Sequence, residues 1–265
     1  MMRSDRRRAF TVVEMLAVIG VIAVLMSLVL PAIGGVRRST RAGGCQSNLR
    51  QLGVAASNYA TQNRDRYPAS ILYEMTAAGV ATKAWDFEQQ PDGTVRAGAL
   101  WNFLKGPNEV QQCPEFEGSS TFGADPSTGY NYNTTYIGAE GRFPESGPDG
   151  RWRDGWSVAR AGLASGQFRR TTTTALFGDG GWKGGANKFM RAPSNAVEND
   201  LPTIYGGAQA FRHAGCTHCC YLDGHVAGST DRCEGAHASP GLLSGVLDFP
   251  RNAFLTDGDA AYDPR

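Results

Sequence analysis

Arg6-Arg7-Arg8-Ala9-Phe10-Thr11-Val12-Val13-Glu14-Met15 opens into an almost unbroken apolar run through Ile33, and its reading decides how the rest of the chain is understood. Phe10 to Ile33 is 24 residues, about 36 Å as a helix at roughly 1.5 Å per residue, enough to cross a hydrocarbon core of about 30 Å. A secretory signal peptide carries its small-residue cleavage site after the apolar stretch. Here the small residue, Ala9, comes before it, beside the arginines. The segment reads as a membrane helix with one carboxylate, Glu14, near its start. An ionised carboxylate there costs several kcal/mol unless it finds a partner. A chain cut between Ala9 and Phe10 would present a free amine about one helical turn from Glu14, or within reach of Glu14 on a neighbouring subunit.

Phe10, Thr11 and Glu14 at these offsets, behind a basic leader and ahead of an apolar run to Pro31, resemble the type IV prepilins and type II secretion pseudopilins. The resemblance implies that a prepilin peptidase cuts after Ala9 and methylates the amine of Phe10. It also implies that Glu14 guides subunits into a filament. The residue before the cut is usually Gly in that family, so Ala9 predicts slower processing. A plain signal anchor, with Glu14 snorkelling to the headgroups, is the alternative. Arg3, Arg6, Arg7 and Arg8 against Asp5 put the amino end in the cytoplasm by the positive-inside rule. Arg37, Arg38 and Arg41 weaken that asymmetry and begin a polar stem. The expected organisation is a cytoplasmic leader over 1–9, a transmembrane helix over 10–33, a stem over 34–66 and an extracytoplasmic β-rich head over 67–265. The expected location is a bacterial inner membrane, crossed once, with or without incorporation into a filament.

Beyond the apolar run, Cys45, Leu49, Leu52, Ala56 and Tyr59 recur at helical spacing, with Arg50, Gln51, Ser57 and Asn58 on other faces. Pro31 lacks an amide hydrogen and crowds the carbonyl four residues back, which predicts one long helix with a break. Pilins carry comparable Pro and Gly residues, and the resemblance implies local melting here during assembly. Arg64 to Pro68 end the helix, because a residue before proline avoids the α region. The remainder holds most of the 34 Gly and 13 Pro, with Asp-Gly at 92, 149, 154, 179, 223 and 257, each read as a turn. Short apolar runs lie between them, at 100–104, 130–137, 172–177, 208–211 and 219–222. The segment from Phe143 to Gln167 reads as a long loop or insertion. The expected fold is α+β and pilin-like, an antiparallel sheet packed on the second half of the helix.

Arg212-His213-Ala214-Gly215 followed by Asp223-Gly224-His225-Val226 resembles the H-x9-D-G motif of planctomycete-type pilin-like proteins. The Cys45 to Gly53 segment, Tyr67-Pro68 and Cys113-Pro114 resemble that family elsewhere. Residues 213–223 read as a hairpin in which Ala214-Gly215 turn, 216–222 extend and Asp223-Gly224 turn again. An extended chain of about ten residues spans some 33 Å, which separates His213 from Asp223 and favours structural roles. Asp223 is expected to cap its own turn, Gly224 to supply positive φ, and His213 to bond a neighbouring loop.

That family does not carry the sulfur-rich stretch Cys216-Thr217-His218-Cys219-Cys220, with Cys233 after it. In a strand, Cys216 and Cys220 lie about 13 Å apart, too far for one tetrahedral ion, so metal binding there would need a compact C-x2-C loop. In an oxidising compartment the six cysteines read more readily as disulfides, Cys45 with Cys113 among them and up to two more from Cys216, Cys219, Cys220 and Cys233. Free buried thiols are the third reading. Asp257, Asp259 and Asp263 alternate with small residues near the end, and some pseudopilins bind calcium in such a loop; a solvated turn is the plainer reading. No other cofactor is expected. Four histidines, no G-x-S-x-G and no H-E-x-x-H argue against an enzyme, and 26 basic against 25 acidic residues provide no field for nucleic acid. The expected partners are the inner membrane, prepilin peptidase and other pilin-like subunits. The function expected is a structural subunit of a secretion or pilus-like filament; the alternative is an anchored binding protein for glycan or protein, favoured if Trp152, Trp156 and Trp182 are exposed.

Overall fold

The first helix begins on a reciprocal cap. The Glu14 amide donates to Thr11 Oγ1 at 3.3 Å, while the Thr11 amide donates to the Glu14 carboxylate at 2.8 Å, satisfying two of the donors that any helix start leaves open. This helix, α1, runs Val12–Gln62 in a computed structural model that describes residues 11–104, 110, 112–118, 129–138, 145–146, 148–149, 152–153, 162–183, 185–195, 206–236, 240, 243–247 and 251–265. Ala9 and Phe10 lie outside the described residues. Helical structure continues through Pro31, where the sequence predicts a break. Proline removes one donor and crowds one carbonyl, but the turns on either side keep their own bonds. The chain divides after Arg41 into two compact units. In the first, every described side chain is exposed, and α1 is long and apolar enough to cross a membrane.

The second unit is α+β. Cys45, Leu49, Leu52, Ala56 and Ala60 form the buried stripe of α1, with Tyr59 half-buried against the same core. Gly53 brings the helix axis close to the sheet, since a Cβ there would stand 2.5 Å from Cys220 Sγ. The helix stops at Gln62, and Arg64 and Asp65 turn the chain at φ 56° and 63°.

Two sheets follow. A meander of β1 (Ile71–Thr76), β2 (Gly79–Ala84), β3 (Phe87–Gln89) and β4 (Val95–Ala97) pairs in chain order. Its last turn is the Asp92-Gly93 step, with Gly93 at φ 85° and the Thr94 amide on Asp92 Oδ1 at 2.9 Å. The larger, curled sheet centres on β8 (Ala175–Gly181), buried along its whole length. One edge of β8 pairs with β5 (Tyr130–Asn133), the other with β10 (Ala208–Ala210) and β11 (Thr217–Tyr221). Outside these lie β9 (Phe189–Met190), β12 (Val226–Ser229) and β13 (Asn252–Ala253); β6 (Glu145–Ser146) and β7 (Trp152–Arg153) make a separate pair. Tyr132 stacks on Phe177 with ring centres 4.9 Å apart, Trp85 lies 5.3 Å from Phe177, and these rings share one core with the helix stripe. Lys188 and Asp86, both buried, pair at 2.7 Å across the two sheets.

The helix–sheet approach at Gly53 yields a test. Gly53→Ala is expected to destabilise the protein by about 1–3 kcal/mol through overpacking, read by denaturant unfolding of the full chain in detergent. Adding Cys220→Ala should recover part of that loss; equal stability of Gly53→Ala and wild type would contradict the contact.

Candidate functional site

Four side chains of three chemical kinds meet inside the second unit. Cys45 and Cys113 supply sulfur, Asp179 a carboxylate and His213 an imidazole, and one ligand atom from each lies within 4.8 Å of all the others. They are 0, 1, 0 and 6% exposed, in that order.

Each arrives by a different local device. Cys45 is the first residue of the buried stripe of α1. Cys113 precedes Pro114 in a turn closed by the Phe116 amide on its carbonyl at 2.9 Å. Gly129, at φ 106°, lies against that turn, where a Cβ would come within 3.0 Å of Cys113. Asp179 sits in the middle of β8, opposite Tyr130 and between two glycines.

His213 owes its place to an interruption of register. Moving two residues along β8, from Gly180 to Gly178, corresponds to ten residues of the partner chain, from Gln209 to Cys219. The surplus forms a small loop opposite Asp179. Reciprocal backbone bonds of 3.0 Å between His213 and Cys216 close it, around Ala214 at φ 54° and Gly215 at φ 88°. This is the left-handed pair of a primed hairpin turn, where Gly is at ease and Ala is strained.

The electrostatics follow from burying Asp179. Its Oδ1 accepts the Cys45 thiol at 3.3 Å, its Oδ2 accepts the His218 amide at 2.9 Å, and His213 Nε2 stands 3.3 Å from Oδ2. Burial works to raise the Asp179 pKa, but His213 and Arg212 outweigh it and hold the carboxyl below its usual range. Burial likewise opposes charge on His213, yet Asp179 and Cys113 raise it to about 10. The two thiols divide: hydrogen bonding to Cys113, then burial, pushes Cys45 up, while Cys45 and His213 hold Cys113 down. Outside this ring of contacts, Glu115 Oε2 lies 2.6 Å from His213 Nδ1. The His218 ring packs 4.5 Å from that of His213.

Cys113 beside His213 Nε2, with Glu115 on Nδ1, is the order of groups in a thiol nucleophile with its base and orienting acid. The near-complete burial of both sulfurs closes that route to any substrate of molecular size. A metal ion needs no such access, and sulfur, nitrogen and carboxylate oxygen are the donors zinc takes.

The other residues singled out by sequence are spread apart. Asp223 caps its own turn, accepting the His225 amide at 3.1 Å, and Gly224 has φ 88°. His225 Nδ1 lies 2.6 Å from Asp223, and its ring stacks on Tyr221. Residues 217–221 are a strand, so the compact C-x2-C loop weighed for metal binding is not formed. Cys219 and Cys220 fall into two different cores, as alternation along a strand requires. All six cysteines are free thiols in this structure, Cys216 and Cys233 half-buried and the others buried; Cys45 and Cys113 do meet, within the four-residue cluster. Trp182 is half-buried with the Lys183 ammonium over its ring, while Trp156 and the Trp152 side chain lie outside the described residues.

The three tail carboxylates do not converge on one point. Asp259 accepts bonds from the Ser194 amide and hydroxyl and from the Tyr136 hydroxyl, and Asp263 pairs with Arg265 at 2.9 Å. Asp257 instead accepts the Ala236 amide through its backbone carbonyl at 2.8 Å.

Asp179 and Glu115 escaped the sequence reading. Asp179-Gly180 reads as a turn, and that expectation is corrected here: the pair lies inside the most buried strand, because the flanking glycines serve close packing, Gly178 against Gln209 and Gly180 against Asn187. The available signal was the apolar run Ala175-Leu176-Phe177 leading straight into the carboxylate. Glu115 had only its adjacency to Cys113-Pro114.

Two measurements probe these assignments. Alkylation of the native chain without reductant, read by intact mass, is expected to modify Cys216 and Cys233 first, and denaturation with a chelator should expose six thiols; fewer than six would reveal a disulfide. For Asp259, burial tends to raise the pKa, but Ser194 and Tyr136 prevail and hold it low. A lowered folded-state pKa stabilises fully above the unfolded value of about 3.9 and is lost as pH falls through the folded value. Asp259→Asn should therefore lower the thermal midpoint near pH 7, with the gap narrowing toward about pH 3; a gap that does not depend on pH would contradict this.

No family model matches the chain, and neither does any curated protein or solved structure.

Proposed function

We propose that this protein is a membrane-anchored, pilin-like structural subunit, processed between Ala9 and Phe10 and assembled through the apolar half of α1. The observation that carries this reading is the run from Val12 to Arg41, helical throughout and exposed at every residue. The apolar part of that run, Val12 to Ile33, is exposed with respect to the described residues and needs lipid or other subunits around it. Glu14 in the first turn is the second support. In the intact chain its carboxylate caps the Thr11 amide; a new amine at Phe10 would compete for the same oxygen atoms, on this subunit or the next. The arginines ahead of Phe10 support a cytoplasmic amino end, with the α+β unit outside as the head. In this reading the protein is a mechanical component rather than an enzyme, and its partners are prepilin peptidase, the inner membrane and other pilin-like subunits.

Intact mass and amino-terminal sequencing of the protein from its native membrane test the processing. A start at N-methylated Phe10 is the expected result, and an uncut Met1 or a start beyond Ile33 would overturn it. Assembly is tested separately by Glu14→Val, expected to be cut normally yet missing from sheared surface filaments. Incorporation at the wild-type level would remove the role given to that carboxylate.

A further inference from the structure

We propose that Cys45, Cys113, Asp179 and His213 form a structural zinc site that fastens α1 to the curled sheet. In a tetrahedron with zinc–ligand bonds of about 2.0–2.3 Å, neighbouring ligand atoms stand about 3.3–3.8 Å apart. Cys113 Sγ is 3.4 Å from His213 Nε2, Cys45 Sγ is 3.3 Å from Asp179 Oδ1, and His213 Nε2 is 3.3 Å from Asp179 Oδ2. These contacts engage both Asp179 oxygens, and one ligand atom from each of the four residues lies within 4.8 Å of the others, so a modest contraction closes the set on an ion.

Two thiolates disfavour calcium and magnesium, which take oxygen, whereas a mixed sulfur, nitrogen and oxygen set suits zinc. All four ligands come from the protein and all are buried, which describes a closed, structural site rather than a catalytic one with an open position.

The groups just outside the four residues also suit a metal site. A zinc-binding histidine presents one ring nitrogen to the metal and donates the other N–H to a carboxylate or carbonyl. Here His213 points Nε2 into the cluster while Nδ1 lies 2.6 Å from Glu115 Oε2, an ion pair by distance; both atoms are buried, and among the described residues neither is in a hydrogen bond. Asp179 is oriented in turn by the His218 amide. Two thiolates, one carboxylate and neutral imidazole around a dication leave one net negative charge. The Arg212 guanidinium, bonded to the carbonyls of Gly129 and Gly180, lies beside it.

A disulfide between Cys45 and Cys113 is the competing use of the same sulfurs. It would leave the wholly buried Asp179 and His213 without a reason for their convergence. The zinc site employs all four. It also ties together segments 134 and 100 residues apart in the chain, Cys45 to Asp179 and Cys113 to His213. Metal binding then contributes directly to folding of the second unit.

The test uses the full chain, purified in detergent without chelator from zinc-supplied cells. Elemental analysis is expected to find one zinc per chain. Exchange for cobalt should produce tetrahedral ligand-field absorption with a thiolate charge-transfer band, and this readout on the wild type requires no variant to fold. Cys113→Ser should lower zinc content about tenfold or more, while Cys216→Ser, outside the cluster, retains it. Glu115→Gln should weaken zinc affinity by about 10–100-fold with the cobalt spectrum preserved, as for a residue that orients a ligand. Any of three results would overturn the proposal: a metal-free wild type with a Cys45–Cys113 disulfide, a cobalt spectrum without the thiolate band, or full zinc retention by Cys113→Ser.

Discussion

A carboxylate with no solvent exposure, that of Asp179, is the constraint around which the second unit is arranged. A buried anion is costly unless donors surround it, and its donors here come from two distant parts of the chain. Cys45 reaches it from the helix, His218 through its backbone amide, and His213 from a loop that exists only because the ladder on β8 skips register. Removing any one of these contacts would leave charge uncompensated where water does not reach. The position of α1 on the sheet, the loop at Ala214-Gly215 and the turn at Cys113 are thus linked by a single electrostatic requirement.

Packing meets that requirement through small residues. Gly53 lets the helix lie on Cys220, Gly129 leaves room for the Cys113 turn, and Gly178 and Gly180 let neighbouring chains close on β8 on either side of Asp179. The aromatic group of Trp85, Tyr132 and Phe177 continues the same core. The two units of the chain therefore meet opposite physical demands. In the first, α1 is apolar and exposed, which suits the proposed lipid and filament contacts; in the second, the same helix is committed to its own sheet. The proposed zinc site belongs wholly to the second and stands or falls apart from the filament proposal.

Legibility in the sequence varied with the range of the interactions involved. The helix stripe of Cys45, Leu49, Leu52 and Ala56 is a local period, and the structure buries those residues. The turns at Asp92-Gly93, Ala214-Gly215 and Asp223-Gly224 follow from backbone preferences of two residues, and glycine φ values of 85–88° are found at all three. Asp179-Gly180 has the same local signature and is no turn, because the strands paired on both sides of β8 override the dipeptide preference. At Pro31 the expected single long helix is found, running on through the proline from Val12 to Gln62. The C-x2-C loop failed because Thr217 to Tyr221 pairs with strands on two sides, and a paired strand sends Cys219 and Cys220 to opposite faces.

What the sequence by itself determined is therefore what one or two turns of chain can encode: an apolar helix with an acidic start, its continuation as an amphipathic stripe, and the glycine turns of a sheet-rich remainder. The tertiary structure alone decided which of six cysteines stand together, that Asp179 is buried rather than turned to solvent, and that Glu115 supports His213. The physical reason is sequence distance. Cys45 and Asp179 are 134 residues apart, and nothing in either local segment specifies the other. Their meeting is set by strand pairing and by the register shift that folds His213 back over the centre of the sheet.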